Sequence, residues 1–232
     1  MSDSPTSLVA IGLSHRTASL EVRERVAVGG DDLPNLLTGL CATGAIAEAM
    51  VVSTCNRVEG YVVATGPREA AVAAFRARMG LPESASYVID GEAAVRHLFR
   101  VCSSLDSLVL GEAQILGQMK EATATARAAG TVGPVLDQCL ARAFKVAKRV
   151  RTETAIARSV VSVGHVAVEL ARSIFGELKA VSVLLVGAGK MGVLAARHLA
   201  SNGAEKVLVA NRTFERGRLL AEQHGWSASA YD

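Results

Sequence analysis

Residues Val181-Ser182-Val183-Leu184-Leu185-Val186 form an apolar run that leads directly into Gly187-Ala188-Gly189-Lys190-Met191-Gly192, a G-x-G-x-x-G. A strand that is apolar at nearly every position suits burial on both faces, as in a parallel sheet flanked by helices. The glycines then allow a tight turn, a close approach of backbone to a pyrophosphate, and close packing of helix on strand. The helix that opens here offers unpaired N–H groups and the positive end of its dipole to phosphates. A bare glycine pattern is weak. With a helix through Leu199 and a second strand at Lys206 to Ala210, it predicts the start of a Rossmann-type domain. Gly187, Ala188, Gly189, Lys190, Met191 and Gly192 are its expected cofactor-binding residues.

The end of the second strand selects the cofactor. NAD sites usually carry an acidic residue there for the ribose 2′-hydroxyl. This chain has Asn211-Arg212-Thr213, with Arg216 one helical turn further on. A guanidinium suits a 2′-phosphate, so NADPH is expected, with Asn211, Arg212 and Thr213 at its site. The alternative for Arg212 is a solvated residue at a helix start.

That motif accounts only for residues after 176. Upstream, Leu8–Gly12, Ala49–Val52, Tyr61–Ala64 and Tyr87–Ile89 read as strands, with helical spacing over Ser19–Val28, Leu33–Leu40 and Pro67–Met79. This β-α-β-β-α-β order is that of a split βαβ sandwich. From Gly91 the texture is helical: Ala94, His97, Leu98, Val101, Leu105 and Leu108 follow the spacing of one buried face. Further helices are expected at Gln114–Ala129, Pro134–Thr152 and Ser159–Phe175. The fold class expected is therefore α/β and α+β: a ferredoxin-like split βαβ domain with added helices, then a truncated Rossmann-type domain. The expected divisions are residues 1–158, a connecting helix 159–176, and 177–232.

Composition narrows the remaining possibilities. Aromatic residues make up 4% of the 232, so the core is expected to be built from Ala, Val and Leu. No apolar run approaches the roughly 18 residues of a membrane span. Met1–Pro5 has neither part of a secretory signal, so the cytoplasm is the expected address. Cys41, Cys55, Cys102 and Cys139 are far apart with no C-x-x-C pair, which argues against a zinc ribbon and a disulfide framework. A net charge of +3 is compatible with a nucleic-acid partner without requiring one.

Cys55 stands where a strand ends in a polar turn, with Arg57 two residues on. Positive neighbours favour the thiolate, the nucleophilic form. On chemistry alone, a small packing residue is the simpler reading. Arg142, Lys145, Lys148, Arg149 and Arg151 place positive charge along two helical turns, either as a solvated face or as a phosphate contact.

Several segments together carry a resemblance. In order they are Gly12–Thr17, Ser53–Arg57, His97–Val101, Leu105–Glu112, Gln114–Gln118, Ala147–Thr154 and Asn211–Thr213. From about residue 8 to 223 the chain resembles glutamyl-tRNA reductases. The resemblance implies that Cys55 attacks the ester joining glutamate to its tRNA and forms a thioester. NADPH then reduces the thioester to glutamate-1-semialdehyde, the precursor of 5-aminolevulinate and tetrapyrroles. It also implies that Thr54, Asn56, Arg57, Ser107, Glu112, Ala113, Gln114 and Gln118 line the glutamate pocket. His97 matches a functionally important histidine of the family, with a satisfied core histidine as the alternative. Glutamyl-tRNA is the implied partner, and glutamate-1-semialdehyde aminomutase is a candidate to receive the product. The resemblance also implies that full-length members are homodimers, through a carboxy-terminal domain expected to be absent from this chain.

Some positions depart from the family pattern. Ser19 stands where proline is common, Gly60 where a bulkier residue is usual, Ser104 for a glycine, Ala113 for a proline, and Lys190 for a glutamate. Ending at Asp232, the chain is expected to bind NADPH weakly and to leave a sheet edge open to association. A non-catalytic remnant that binds glutamyl-tRNA or a protein is the alternative function. An ordinary dehydrogenase of a small substrate would leave the Cys55 segment unexplained.

Overall fold

The computed structural model describes residues 8–108, 110–112, 114–157 and 163–230. Ala113 and the expected boundary at 158/159 lie outside the described residues. The chain divides into two compact units, Met1–Val160 and Val161–Asp232.

The first unit opens with β1 (Leu8–Ser14), α1 (Leu20–Arg25), α2 (Asp32–Cys41), β2 (Ile46–Ser53), β3 (Arg57–Ala64), α3 (Arg68–Met79) and β4 (Tyr87–Asp90). Its sheet runs β2-β3-β1-β4 with every pairing antiparallel, the split βαβ arrangement. Every residue of β1, and of β3 up to Val63, is buried, so both faces of the sheet are covered. The crossover helices α2 and α3 pack on it, as do α4 (Gly91–Cys102), α5 (Gln114–Ala128) and α6 (Pro134–Glu153).

Two local fits tie sequence to this packing. A Cβ at Gly60 would lie 2.1 Å from Cε2 of Phe75, which is fully buried. The small residue in β3 is thus the counterpart of a large one in α3. The first turn of α6 follows Gly133, which has no side chain to cap it. The buried Glu48 of β2 does so instead, accepting from Val135 N at 3.2 Å and Leu136 N at 2.7 Å.

The helix α4 ends at Cys102 and does not continue through Leu108 as its apolar spacing suggests. Leu105 N–H bonds to Arg100 O at 2.9 Å and Ser104 N–H to Val101 O at 3.0 Å. That pair is a Schellman stop, with Ser104 in the left-handed position at φ 61°. Beyond it Leu105 is half-buried and Leu108 is 64% exposed. Residues 101, 105 and 108 mimic a helical face only because apolar spacing carries no record of where a helix stops.

The second unit contains α7 (Val163–Phe175), β5 (Ser182–Val186), α8 (Lys190–Ser201), β6 (Lys206–Ala210), α9 (Phe214–His224) and β7 (Ser227–Ser229). The strands are parallel in the order β5-β6-β7. The apolar run of β5 is not buried on both faces. Leu185, Val207 and Val209 are buried against the helices, whereas Leu184 is 61% and Val186 59% exposed. Among the described residues, no helix is long and apolar enough to cross a membrane.

Candidate active site

The Cys55 turn joins β2 to β3 and is held by its own polar atoms. Thr54 N–H bonds to Arg57 O at 2.8 Å. The Thr54 hydroxyl accepts from Asn56 N–H at 3.2 Å and Arg57 N–H at 3.1 Å. The outward carbonyls are also tied down. Asn56 O accepts from His15 N–H at 2.8 Å, and Cys55 O from Arg23 Nε at 3.0 Å. Thr54 and Asn56, expected to line a substrate pocket, thus fix the turn, and Cys55 is left exposed as a free thiol.

Beside this turn lies a cavity of about 190 Å³ lined by Ser14, Arg16, Thr17, Arg57, Tyr87, Ile89, His97 and Asp106. Beneath it is a buried charge cluster. Arg57 is 3% exposed; its Nη1 donates to Glu59 Oε2 at 2.8 Å and its Nη2 to Asp106 O at 2.7 Å. His97 Nε2 donates to the other oxygen of Glu59, and its Nδ1 lies 3.6 Å from Asp106 Oδ2. The ring stacks near Tyr61 at 6.4 Å and meets Tyr87 edge-on at 5.8 Å. Asp106 also accepts from Arg100 Nη2 at 2.8 Å and stands 3.9 Å from Arg16.

The electrostatics follow from burial set against these partners. Burial pushes the Glu59 carboxyl up, but His97 and Arg57 together hold it below the usual carboxylate range. Hydrogen bonds from Arg100 hold Asp106 low against its own partial burial. Burial raises the Glu112 carboxyl, partly offset by the charge of Arg57. Burial raises the Tyr61 and Tyr87 phenols, with the Glu59 charge adding to it, so both stay neutral. Burial lowers His15, and Arg16, Arg57 and Arg23 lower it further, which keeps that imidazole neutral beside the turn.

The structure brings together only some of the expected residues. Arg57 and His97 meet through Glu59, and Glu112 lies within the field of Arg57. Ser107, Glu112, Gln114 and Gln118 are half-buried, the first two after α4 and the last two at the start of α5. Among the described residues, none of these four hydrogen-bonds the Cys55 turn through its side chain. Their loop is braced from behind, with Ser104 Oγ donating to Glu112 O at 2.6 Å and Arg151 Nη1 to Gly111 O at 3.2 Å. Of the basic residues on α6, Arg151 is therefore a brace and Arg149 pairs with Glu153 at 2.9 Å. Arg142, Lys145 and Lys148 are exposed.

Sequence reasoning missed Glu59, Tyr61, Tyr87, Asp106 and Arg16. A readable signal existed for the first two. Arg57, Glu59 and Tyr61 alternate along β3, so they share one face of an otherwise apolar strand. Asp106 lies inside one of the segments that carry the resemblance, but nothing local marks it as the acceptor for Arg100 and a neighbour of the His97 ring.

In the second unit, Gly187 adopts φ 87° and its N–H bonds to Ala210 O at 2.7 Å. Nothing lies within 4 Å of where a Cβ would stand on Gly187 or Gly189, which leaves the approach to the loop open. A Cβ at Gly192 would sit 2.8 Å from Leu185 Cδ1, so this glycine lets α8 pack close to β5. Asn211 braces the loop: its Oδ1 accepts from Ala188 N–H at 3.0 Å and its Nδ2 donates to Thr213 O at 2.8 Å. Arg212 and Thr213, just after β6, and Arg216, in the first turn of α9, are exposed. An open glycine loop at the start of α8 suits the phosphates of a dinucleotide.

Comparison with known proteins bears on family and fold. Residues 11–154 match the family described as "Glutamyl-tRNAGlu reductase, N-terminal domain", and 169–232 match "Shikimate / quinate 5-dehydrogenase". The glutamyl-tRNA reductase of Syntrophotalea carbinolica is 52% identical over 229 residues, covering 96% of this chain and 52% of that protein. Glutamyl-tRNA reductase 2 of Koribacter versatilis is 52% identical over 223 residues, covering 94% and 51%. The solved structure of glutamyl-tRNA reductase from Methanopyrus kandleri is 36% identical and superposes with a TM-score of 0.67, over 96% of this chain and 54% of that one. The chain spans about half the length of the curated relatives it matches.

Proposed function

The chain belongs to the glutamyl-tRNA reductase family, and from that premise we propose that it forms a thioester between Cys55 and the glutamate of glutamyl-tRNA. The observation that carries this reading is an exposed thiol on a hydrogen-bonded turn beside a cavity whose lining includes Arg16, Arg57 and Asp106. The Cys55 sulfur, as thiolate, attacks the ester carbonyl carbon. A carbon–sulfur bond forms, the carbon–oxygen bond to the terminal ribose breaks, and the proton lost by the thiol ends on the departing ribose oxygen. Thr54 holds the turn so that the thiol needs no reorganisation before attack. Arg57 and Arg16 line a cavity of amino-acid size and are placed to receive the side-chain carboxylate, while Asp106 is an acceptor for the ammonium group. Arg142, Lys145 and Lys148 form an exposed cationic row suited to tRNA phosphates.

The open loop Gly187–Gly192 and Arg212 would hold NADPH, with the N–H groups at the start of α8 toward its phosphates and the guanidinium toward the 2′-phosphate. When bound, that cofactor supplies the hydride that turns a thioester into glutamate-1-semialdehyde, the first intermediate on the way to 5-aminolevulinate and tetrapyrroles. An aminomutase is the enzyme class that would take up this product. The expected compartment is the cytoplasm.

The decisive experiment incubates the protein with tRNA carrying labelled glutamate, without reductant, and maps the label. Label on Cys55 that disappears in Cys55→Ser is the expected result. A folded protein that acquires no label would refute the acyl transfer and favour a chain that only binds its tRNA or a partner.

A further inference from the structure

The acyl transfer described above gives no task to Glu59, the most deeply buried charge of the first unit. It sits in the middle of β3 and is fully buried. Space for it depends on Gly12, its partner across the β1–β3 ladder. A Cβ there would lie 2.7 Å from the Glu59 Cα and 2.9 Å from its Cβ. Both carboxylate oxygens are committed, one to Arg57 Nη1 at 2.8 Å and the other to His97 Nε2.

Stability does not account for such a group. A buried ion pair recovers little beyond its desolvation cost, and apolar residues of similar volume commonly do as well or better. The two partners, however, both line the cavity beside Cys55. With Nη1 held by Glu59 and Nη2 by Asp106 O at 2.7 Å, the guanidinium plane of Arg57 is fixed. Its remaining N–H groups can then meet an acceptor only from a restricted direction. The His97 ring is fixed in the same way by Glu59 at one edge and by Tyr61 and Tyr87 around it.

We propose that Glu59 is a positioning residue, aiming the Arg57 guanidinium with one oxygen and the His97 ring with the other. The proposal rests on the acyl-transfer reading and adds to it the group that sets the pocket's geometry. A glutamine at this position keeps the volume and one acceptor oxygen for Arg57, but turns an N–H donor toward His97. The ring can then stay paired only as the tautomer protonated at Nδ1, which changes the proton it presents to the cavity.

The test compares wild type, Glu59→Gln and Glu59→Asp in single-turnover acylation of Cys55 by labelled glutamyl-tRNA over a range of concentrations and pH. Alkylation of Cys55 by iodoacetamide, a neutral reagent that needs no pocket, is followed in parallel. The expected result is an acylation rate at least tenfold lower in Glu59→Gln, with a weaker half-saturation, an altered pH profile and an unchanged alkylation rate. Glu59→Asp, which keeps two acceptor oxygens, should recover part of the loss. Acylation by Glu59→Gln at the wild-type rate and pH profile would overturn the proposal. Equal losses of acylation and alkylation would do so too, because they mark a merely structural role. If wild type itself takes no label, the acyl-transfer reading fails. The ¹⁵N signals of Arg57 and His97 then decide: shifts in both on Glu59→Gln uphold the positioning role, and unchanged signals reject it.

Discussion

Strands β3 and β5 each adjoin a chemically distinctive loop, β3 leaving the Cys55 turn and β5 entering the glycine turn, but they differ in what surrounds them. β3 is buried on both faces, and inside that shell it carries an arginine and a glutamate on one side. β5 is buried on one face only, with Leu184 and Val186 open, and its loop offers backbone atoms and no charged side-chain cluster among the described residues. The contrast shows two ways of preparing a binding site. Side-chain charges hold a fixed geometry only where water is excluded and every partner is in place. A glycine loop needs only a strand, a helix start and room, so one covered face is enough.

The largest expected effect tests the closed unit. Arg57→Met removes the guanidinium that shares the buried Glu59 with His97, and should cost the first unit about 3–5 kcal/mol. Pairing it with Glu59→Leu should restore most of that loss. Trp226, the single tryptophan, lies in the second unit, so its fluorescence should report an unchanged transition there while tyrosine circular dichroism reports the loss. A shift of the Trp226 transition by the same amount would mean that the units are not independent in stability.

The next test asks whether the two faces of β5 differ as described. Leu185→Ala, on the covered face, should destabilise the second unit by roughly 2–5 kcal/mol, read from Trp226 during urea unfolding. Leu184→Ala, one residue away on the open face, should change it by no more than about 0.5 kcal/mol. Equal costs would show that the open face is covered in solution.

Acid should separate the units further. Glu59 and Asp106 are held below their ordinary values of 4.5 and 3.8, so their contribution is complete above those values and is lost as pH falls through the lowered ones. The first unit should therefore weaken in this acid window. Glu59→Gln should flatten that part of its stability profile while leaving the second unit's profile as it was.

The smallest effect concerns the loop behind the cavity. Ser104→Gly relieves a left-handed residue but gives up the 2.6 Å bond to Glu112 O. A relief of roughly 1–2 kcal/mol set against a loss of roughly 0.5–1.5 kcal/mol leaves, at the midpoints, a net gain of about 0.5 kcal/mol. Thermal unfolding monitored at tyrosine would show it, and a lower melting temperature would mean that the hydroxyl outweighs the strain.

Much of the molecule is legible in the chain because it depends on local rules. The order of strands and helices, the glycine turn into α8, and the exposed thiol in its polar turn all follow from periodicity and from residues adjacent in sequence. Other features lie beyond local rules. The end of α4 depends on Ser104 accepting a conformation that apolar spacing cannot reveal. The one-sided burial of β5 depends on where α8 and α9 lie, which the apolar run itself does not encode. The cap on α6 comes from Glu48, far back in the chain on β2. The cluster under the cavity is the clearest case. Arg57 and Glu59 are neighbours on one strand, but His97 and Asp106 reach them only when α4 and its following loop pack on the sheet. The sequence by itself determined which chemical groups were available and which short-range turns would present them. The tertiary structure decided which charges share a buried space, because pairing in a low-dielectric interior depends on distance in space and not along the chain.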